Sequence, residues 1–162
     1  MSEILSILEQ NSGATASSTS LLGVRGEKLA LEFLIAKGFR IVVTNFKVPV
    51  GRNSKGVSVT GEIDVIALDG ETLCFIEVKT RRSDEFAPVI AAVDLRKQRQ
   101  IARTAKVYRR IFNIRDIEHR YDVVTVLLPK HSKAKIELVK GFWNDGVFGR
   151  KTWRNAAWHE NS

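Results

Sequence analysis

The run GEIDVIALDGETLCFIEVKT, residues Gly61–Thr80, decides the fold. Its two halves, 61–68 and 72–80, are rich in β-branched and apolar residues. They flank Asp69-Gly70, a dipeptide that tolerates the positive φ of a tight turn, so the run reads as a β-hairpin. With Asp69-Gly70 as a two-residue turn, Leu68 faces Glu71, Ile66 faces Leu73, Asp64 faces Phe75 and Glu62 faces Glu77. Side chains alternate along a strand, which places Glu62, Asp64, Glu77 and Lys79 on one face. Asp64 and Glu77 are then diagonal neighbours, their Cβ atoms about 7–8 Å apart, and one hard divalent ion, Mg²⁺ or Mn²⁺, fits between them. Three carboxylates against one lysine want that cation; without it at least one carboxyl keeps its proton. Lys79 points to the same face, where an ammonium stabilises charge on a phosphoryl transition state or orients an attacking water. Taken alone, the hairpin reads more readily as an exposed sheet face than as a site, because Glu-x-Lys occurs in many unrelated strands.

Before the hairpin, Ser20 reads as the N-cap of a helix that ends at Gly38, with Val24, Leu31, Leu34 and Ile35 as its apolar side. Glu27 lies on that stripe, and a carboxylate carried toward a packed face costs free energy unless it is paired. Phe39–Val48 reads as a strand and Pro49–Thr60 as a basic loop carrying Arg52 and Lys55. After the hairpin, Pro88 suits a helix start and Val89 to Phe112 is rich in helix formers. Tyr121–Leu128, YDVVTVLL, reads as a strand covered on both faces, with a shorter strand at 135–139. The order α-β-β-β-α-β-β implies an α/β fold with a mixed sheet flanked by helices. Residues 1–19 read as a flexible arm, 20–142 as the domain, and 143–162 as a basic tail holding Trp143, Trp153 and Trp158. That tail suits either stacking on unpaired bases or burial of its indoles.

In the second helix Ile101, Ala105, Tyr108 and Phe112 form the apolar stripe, and Lys97 lies on it, pointing inward. Arg96, Arg99, Arg103, Lys106 and Arg110 advance by steps of three and four and make a basic row on the other side. Such a row is either a solvated face or a set of phosphate contacts; with no acid interleaved, the contacts are the better reading.

The chain of 162 residues has room for one domain, and at 44% hydrophobic residues it needs neither disulfide nor structural metal to hold a core. Its formal charge of +8 favours a polyanionic partner, nucleic acid or an anionic surface. Cys74, the one cysteine, sits in an apolar run and points to a reducing compartment. No apolar run is long enough to span a bilayer, so a cytoplasmic protein without membrane attachment is expected. The scattered His119, His131 and His159 have no zinc spacing, and the chain lacks a phosphate-cradling glycine loop.

Gly23-x-x-Gly26-Glu27, Asn45-Phe46, Gly61-Glu62-Ile63-Asp64-Val65-Ile66, Phe75-Ile76-Glu77-Val78-Lys79-Thr80-Arg81, Lys97 and Arg120-Tyr121-Asp122-Val123-Val124 together resemble the YraN-like family of bacterial proteins. That family looks like a branch of the PD-(D/E)XK nuclease superfamily, similar to archaeal Holliday-junction resolvases. The resemblance, over roughly residues 21–142, implies a restriction-endonuclease-like core. In it Asp64, Glu77 and the Val78 carbonyl would bind the metal, Lys79 would assist the attacking water, and Glu27 would complete the acidic site. Lys97 or Gln98 would approach from the second helix. Ile63 stands where the superfamily has proline, as is usual in this branch, and the loop 49–60 is longer than expected. The resulting expectation is a metal-dependent endonuclease acting on DNA rather than RNA, branched or single-stranded, with the two-fold dimer of similar resolvases. The alternatives are a non-catalytic nucleic-acid-binding module acting in a complex and a protein-interaction scaffold.

Overall fold

The computed structural model describes residues 17–82 and 93–149. A helix α1 (Ser18–Ala36) is followed by three strands, β1 (Arg40–Arg52), β2 (Ser58–Asp69) and β3 (Thr72–Arg81). Helix α2 (Leu95–Ile111), strands β4 (His119–Leu127) and β5 (Lys135–Trp143) and a single turn α3 (Gly146–Gly149) complete the order. One sheet runs β1-β2-β3-β4-β5, antiparallel except for the parallel β3–β4 pair. The α/β class with a mixed sheet and the order α-β-β-β-α-β-β are as the sequence implies.

Each face of the sheet is covered by one long helix. Ala30, Leu31 and Leu34 of α1 pack with Val65, Ala67, Cys74, Ile76, Val124 and Val126. Ile101, Ala105 and Tyr108 of α2 pack with Ile63, Ile66, Phe75, Tyr121 and Val123. Burial on both sides explains why β4 is nearly continuous in apolar residues. It also leaves Cys74 fully buried, its thiol pushed up to about 12 by desolvation, an inert core residue.

Several boundaries differ from the sequence reading. Helix α1 is capped by Ser17, whose side chain accepts the Ser20 N–H, so Ser20 lies inside the helix. Its buried stripe is Gly26, Ala30, Leu31 and Leu34, while Val24 and Ile35 are exposed. Pro49–Thr60 is not a loop: β1 runs on to Arg52 and β2 begins at Ser58. The connection is a tight turn in which Asn53 Oδ1 accepts from the N–H groups of Lys55 and Val57. Helix α2 starts at Leu95, capped by Asp94, which accepts the Lys97 N–H at 2.8 Å. Pro88 and Val89 lie outside the described residues. Phe112 is not core but the exposed C-cap residue, its ring leaning on Tyr108.

Strand β5 extends to Trp143, whose buried ring stacks on Tyr121 at 4.9 Å. Trp153 and Trp158 fall outside the described residues. On the β4 rung beside Ile76, buried Asp122 takes two hydrogen bonds from Arg120 and one from the Gly141 N–H. Arg120 and Lys140 also hold Asp69, both at 2.7 Å, tying the hairpin turn to β4 and β5. These donors keep the Asp69 carboxyl below its ordinary value.

Candidate metal-binding site

The site forms where β2 and β3 part. Their pairing runs from Asp69↔Thr72 to Val65↔Ile76 and stops, yet β2 stays paired with β1 as far as Ser58↔Arg52, and β3 with β4 as far as Arg81↔Leu127. The stretch Ser58–Asp64 is thus an arm shared with β1, and Asp64 stands at the apex of the fork. There its Oδ2 accepts the Val78 main-chain N–H at 2.8 Å, replacing a ladder acceptor with a carboxylate.

The register differs by two residues from the one expected. Asp69 pairs with Thr72, so the central turn residues are Gly70 and Glu71, with Gly70 at φ +60° in the first central position. That is the type II′ pattern, which needs glycine there. Ile66 therefore faces Phe75 rather than Leu73, and the next unpaired rung brings Asp64 opposite Glu77 instead of diagonal to it. Directly opposed residues have Cβ atoms about 4.5–5.5 Å apart, closer than the diagonal relation allows.

The four polar residues do not share one face. Val65 and Ala67 pack toward α1, and Ile66 toward α2, as alternation requires; Ile63, however, packs toward α2 with Ile66, three residues away. Alternation breaks at Asp64, and Glu62 emerges on the α1 side. There it pairs with Lys47, its cross-strand partner in β1, at 3.4 Å. Glu77 stays on the α2 side, where Lys97 Nζ lies 3.5 Å from its Oε1. The inward Lys97 is as the helix stripe implies. Gln98 is buried, and its Nε2 donates to the Val93 carbonyl at the entry to α2. Lys79 is exposed on the strand position two beyond Glu77.

Two close approaches set the helices against this seam. A Cβ on Gly26 would overlap the Thr80 side chain of β3, and one on Gly61 would overlap Thr104 of α2 and Val50 of β1. Glycine at these points lets both helices reach the sheet beside the fork, and the first brings Glu27 with it. Glu27 is half-buried, and the nearby Asn45 side chain acts to lower its pKa. Burial raises the Glu27 pKa, with the Asp64 and Glu62 charges adding to it. Burial likewise raises Asp64, against the Val78 N–H and the Glu77 contact, which lower it. Glu77, 6% exposed, is pushed up to about 8 by burial and then by the Asp64 charge, Lys97 opposing. Its Oε2 is buried without a donor when ionised, whereas a proton retained on Glu77 lets the pair hydrogen-bond.

Glu27 and Glu62 both approach from the α1 side, where their charges oppose each other, and Glu62 is paired with Lys47. Among the described residues no three His, Cys, Asp or Glu side chains converge into a closed cage. Two facing carboxylates with one orphan oxygen match what Mg²⁺ or Mn²⁺ accepts, an ion that binds through one or two carboxylates and keeps several waters.

The basic row Arg96, Arg99, Arg103, Lys106 and Arg110 is exposed along α2, with Arg99 lying over the Phe148 ring at 5.9 Å. Arg52 and Lys55 sit at the tip of the β1–β2 arm, where Arg52 Nη1 donates to the Gly56 carbonyl. Asn45 was not legible as a site residue from spacing. Its positive φ inside a strand is visible only in the fold. No helix among the described residues is long and apolar enough to cross a membrane.

Residues 26–126 match the Uncharacterised protein family UPF0102. The UPF0102 protein of Chlorobium limicola is 38% identical over 130 residues, covering 76% of this chain and 93% of its own. Among solved structures, Archaeoglobus fulgidus Hjc, a Holliday junction resolvase, aligns over 70% of this chain and 74% of its own with a TM-score of 0.33 and 17% identity. The crystal structure of SSO0001 aligns over 90% of this chain at a TM-score of 0.39 and 16% identity, and this chain spans 63% of its length.

Proposed function

The chain belongs to the uncharacterised protein family UPF0102, the YraN-like family that its motifs resemble, and on that footing we propose that it is a divalent-metal-dependent endonuclease acting on DNA. The observation that carries this reading is the facing pair Asp64 and Glu77 at the apex of the β2–β3 fork, with Glu77 Oε2 buried and unpartnered. Asp64, Glu77 and the Val78 carbonyl would hold Mg²⁺ or Mn²⁺. When bound, the ion supplies Lewis acidity toward a phosphodiester oxygen and acidifies a coordinated water.

The chain's own residues do the rest. Lys79, exposed two residues beyond Glu77 on β3, offers an ammonium for negative charge developing on the phosphate. Glu27, its pKa raised by burial and then by the Asp64 charge, has the character of a carboxyl suited to general acid–base work. Lys97, 3.5 Å from Glu77, would be placed to face the phosphate were Glu77 to hold the ion. The exposed row Arg96, Arg99, Arg103, Lys106 and Arg110, with Arg52 and Lys55, supplies phosphate contacts that position a strand without reading its sequence. Branched or single-stranded DNA is the substrate class the resemblance favours, with a dimer placing two sites on one junction.

The Lys97–Glu77 pair also supports a second reading, a nucleic-acid-binding module whose internal cation replaces the metal. Cleavage of labelled linear, flapped, single-stranded and four-way DNA with Mg²⁺ or Mn²⁺, beside Glu77→Ala purified identically, separates the two. Cleavage lost in the variant is the expected result. DNA binding without variant-sensitive cleavage selects the binding module.

A further inference from the structure

Asn45 is one of two non-glycine residues with positive φ among the described residues, at φ 51°. The other, Asn113, directly follows the α2 C-cap, where a left-handed residue ordinarily ends a helix. Asn45 instead lies inside β1. The register around it does not slip: Thr44 pairs with Val65 and Phe46 with Ile63, so Asn45 occupies the rung of Asp64.

What changes at that rung is the facing of the strands. Val43 and Phe46 both pack toward α2, as do Ile63 and Ile66. Residues three apart in a regular strand point to opposite faces, so both strands turn over between these positions. A left-handed residue in β1 absorbs that turnover, and asparagine tolerates the conformation better than any residue but glycine. Released from alternation, the Asp64 side chain crosses to the Val78 N–H. On its other side the Asn45 side chain lies near the carboxyl of Glu27, from α1, and acts to lower its pKa. One residue therefore touches the placement of two carboxylates from different elements.

We propose that Asn45 is a positioning residue: its left-handed backbone lets the β1–β2 ladder turn over so that Asp64 enters the β2–β3 seam, and its amide holds Glu27 beside that carboxylate. The inference rests on the metal-site reading for its functional consequence and on the fold alone for its geometry. Side chain and backbone separate by substitution. Asn45→Gly keeps the left-handed conformation accessible and removes the amide, while Asn45→Ala removes the amide and disfavours the backbone.

Amide hydrogen exchange of the full chain without metal reads the geometry directly. In Asn45→Ala, Val78 exchanges at least about tenfold faster than in wild type, normalised to Val124 in the sheet interior; in Asn45→Gly it stays protected, but the Glu27 side-chain carboxyl carbon resonance moves. Mn²⁺ affinity falls by about 10- to 100-fold in Asn45→Ala, the range for loss of a group that orients a ligand, and less in Asn45→Gly. Wild-type Val78 protection in a folded Asn45→Ala overturns the backbone role, and loss of that protection in Asn45→Gly does so even where Asn45→Ala fails to fold. An unmoved Glu27 resonance in Asn45→Gly overturns the amide role. Absence of Mn²⁺ binding by the wild type, with the exchange pattern as expected, rejects the metal site and leaves the positioning role standing.

Discussion

Asp64 Oδ2 takes the main-chain N–H of Val78 at 2.8 Å, and this bond marks where β2 leaves β3. A carboxylate acting as a ladder acceptor does two things at once. It closes the last rung of the pair and keeps the carboxylate beside Glu77 at the opening fork. Asp64→Ala should therefore abolish saturable Mn²⁺ uptake, weakening it by more than about 100-fold, beyond the usual effect of changing an outer group. Isothermal titration with Mn²⁺, on a variant shown to be folded by circular dichroism, checks this; unchanged affinity would remove Asp64 from the ligand set.

The pH dependence follows from Glu77. Its carboxyl moves from 4.5 to about 8 on folding, so the native state binds the proton more tightly than the unfolded chain. The stability this confers is complete below pH 4.5 and is lost as pH rises toward 8. Without metal, the urea midpoint should fall across that window, and Glu77→Gln should flatten the fall. Metal binding must displace the same proton, so Mn²⁺ affinity should rise with pH up to about 8 and then level off. A pH-independent affinity between 5 and 8 contradicts the assignment.

The acids of this site were legible in the sequence because residue type and strand pattern suffice to find them: Asp64 and Glu77 lie on the two arms of a hairpin, and Lys97 lies on an apolar helical stripe. Their geometry was not. A turn one position later, centred on Gly70 and Glu71, moves the register by two residues while preserving side-chain parity, so the pattern of apolar residues cannot detect it. Parity itself then fails at Asp64, through a backbone conformation at Asn45 that no local spacing encodes. Glu62 was misplaced for that reason. The arm formed by β1 and β2 looked like a loop because Gly51, Arg52, Asn53, Ser54, Lys55 and Gly56 carry loop composition, although the strands around them pair to within a few residues of the tip.

Gly26 tests how tightly α1 must seat. A methyl group there overlaps Thr80, whose Oγ1, Cγ2 and Cβ are the nearest atoms. Gly26→Ala should cost about 1–3 kcal/mol through overpacking, and Thr80→Ala in the same chain should recover part of it. Urea unfolding of both single variants and the double variant measures the coupling. Simple additivity would show that the helix shifts freely at this point.

Asp122 is fully buried and holds Arg120 through two bonds and the Gly141 N–H through a third. Asp122→Ala leaves the partly buried guanidinium with Asp69 alone and should destabilise the fold by about 3–5 kcal/mol. Asp122 stands on the rung of Ile76 but faces the α1 side of the sheet, whereas Glu77 faces α2, so Mn²⁺ affinity of the fraction that remains folded should stay unchanged. Loss of metal binding in a folded Asp122→Ala would mean that the two faces of the sheet are coupled.

The basic row makes a prediction in salt. If Arg96, Arg99, Arg103, Lys106 and Arg110 all contact phosphates, log affinity for duplex DNA should fall against log salt with a slope of about −4.5, and for single strands about −3.5. Arg103→Gln should reduce the duplex slope by about 0.9 and weaken all sequences alike, because phosphate contacts carry no base readout. Arg99 already engages the Phe148 ring and should contribute less than Arg103. Fluorescence anisotropy at several salt concentrations, with Ca²⁺ replacing Mg²⁺ to suppress cleavage, gives these slopes. A slope of about −1.8 for the wild type would make the row a solvated helix face and leave the phosphate contacts to Arg52 and Lys55 on the arm, and a slope near zero would remove both.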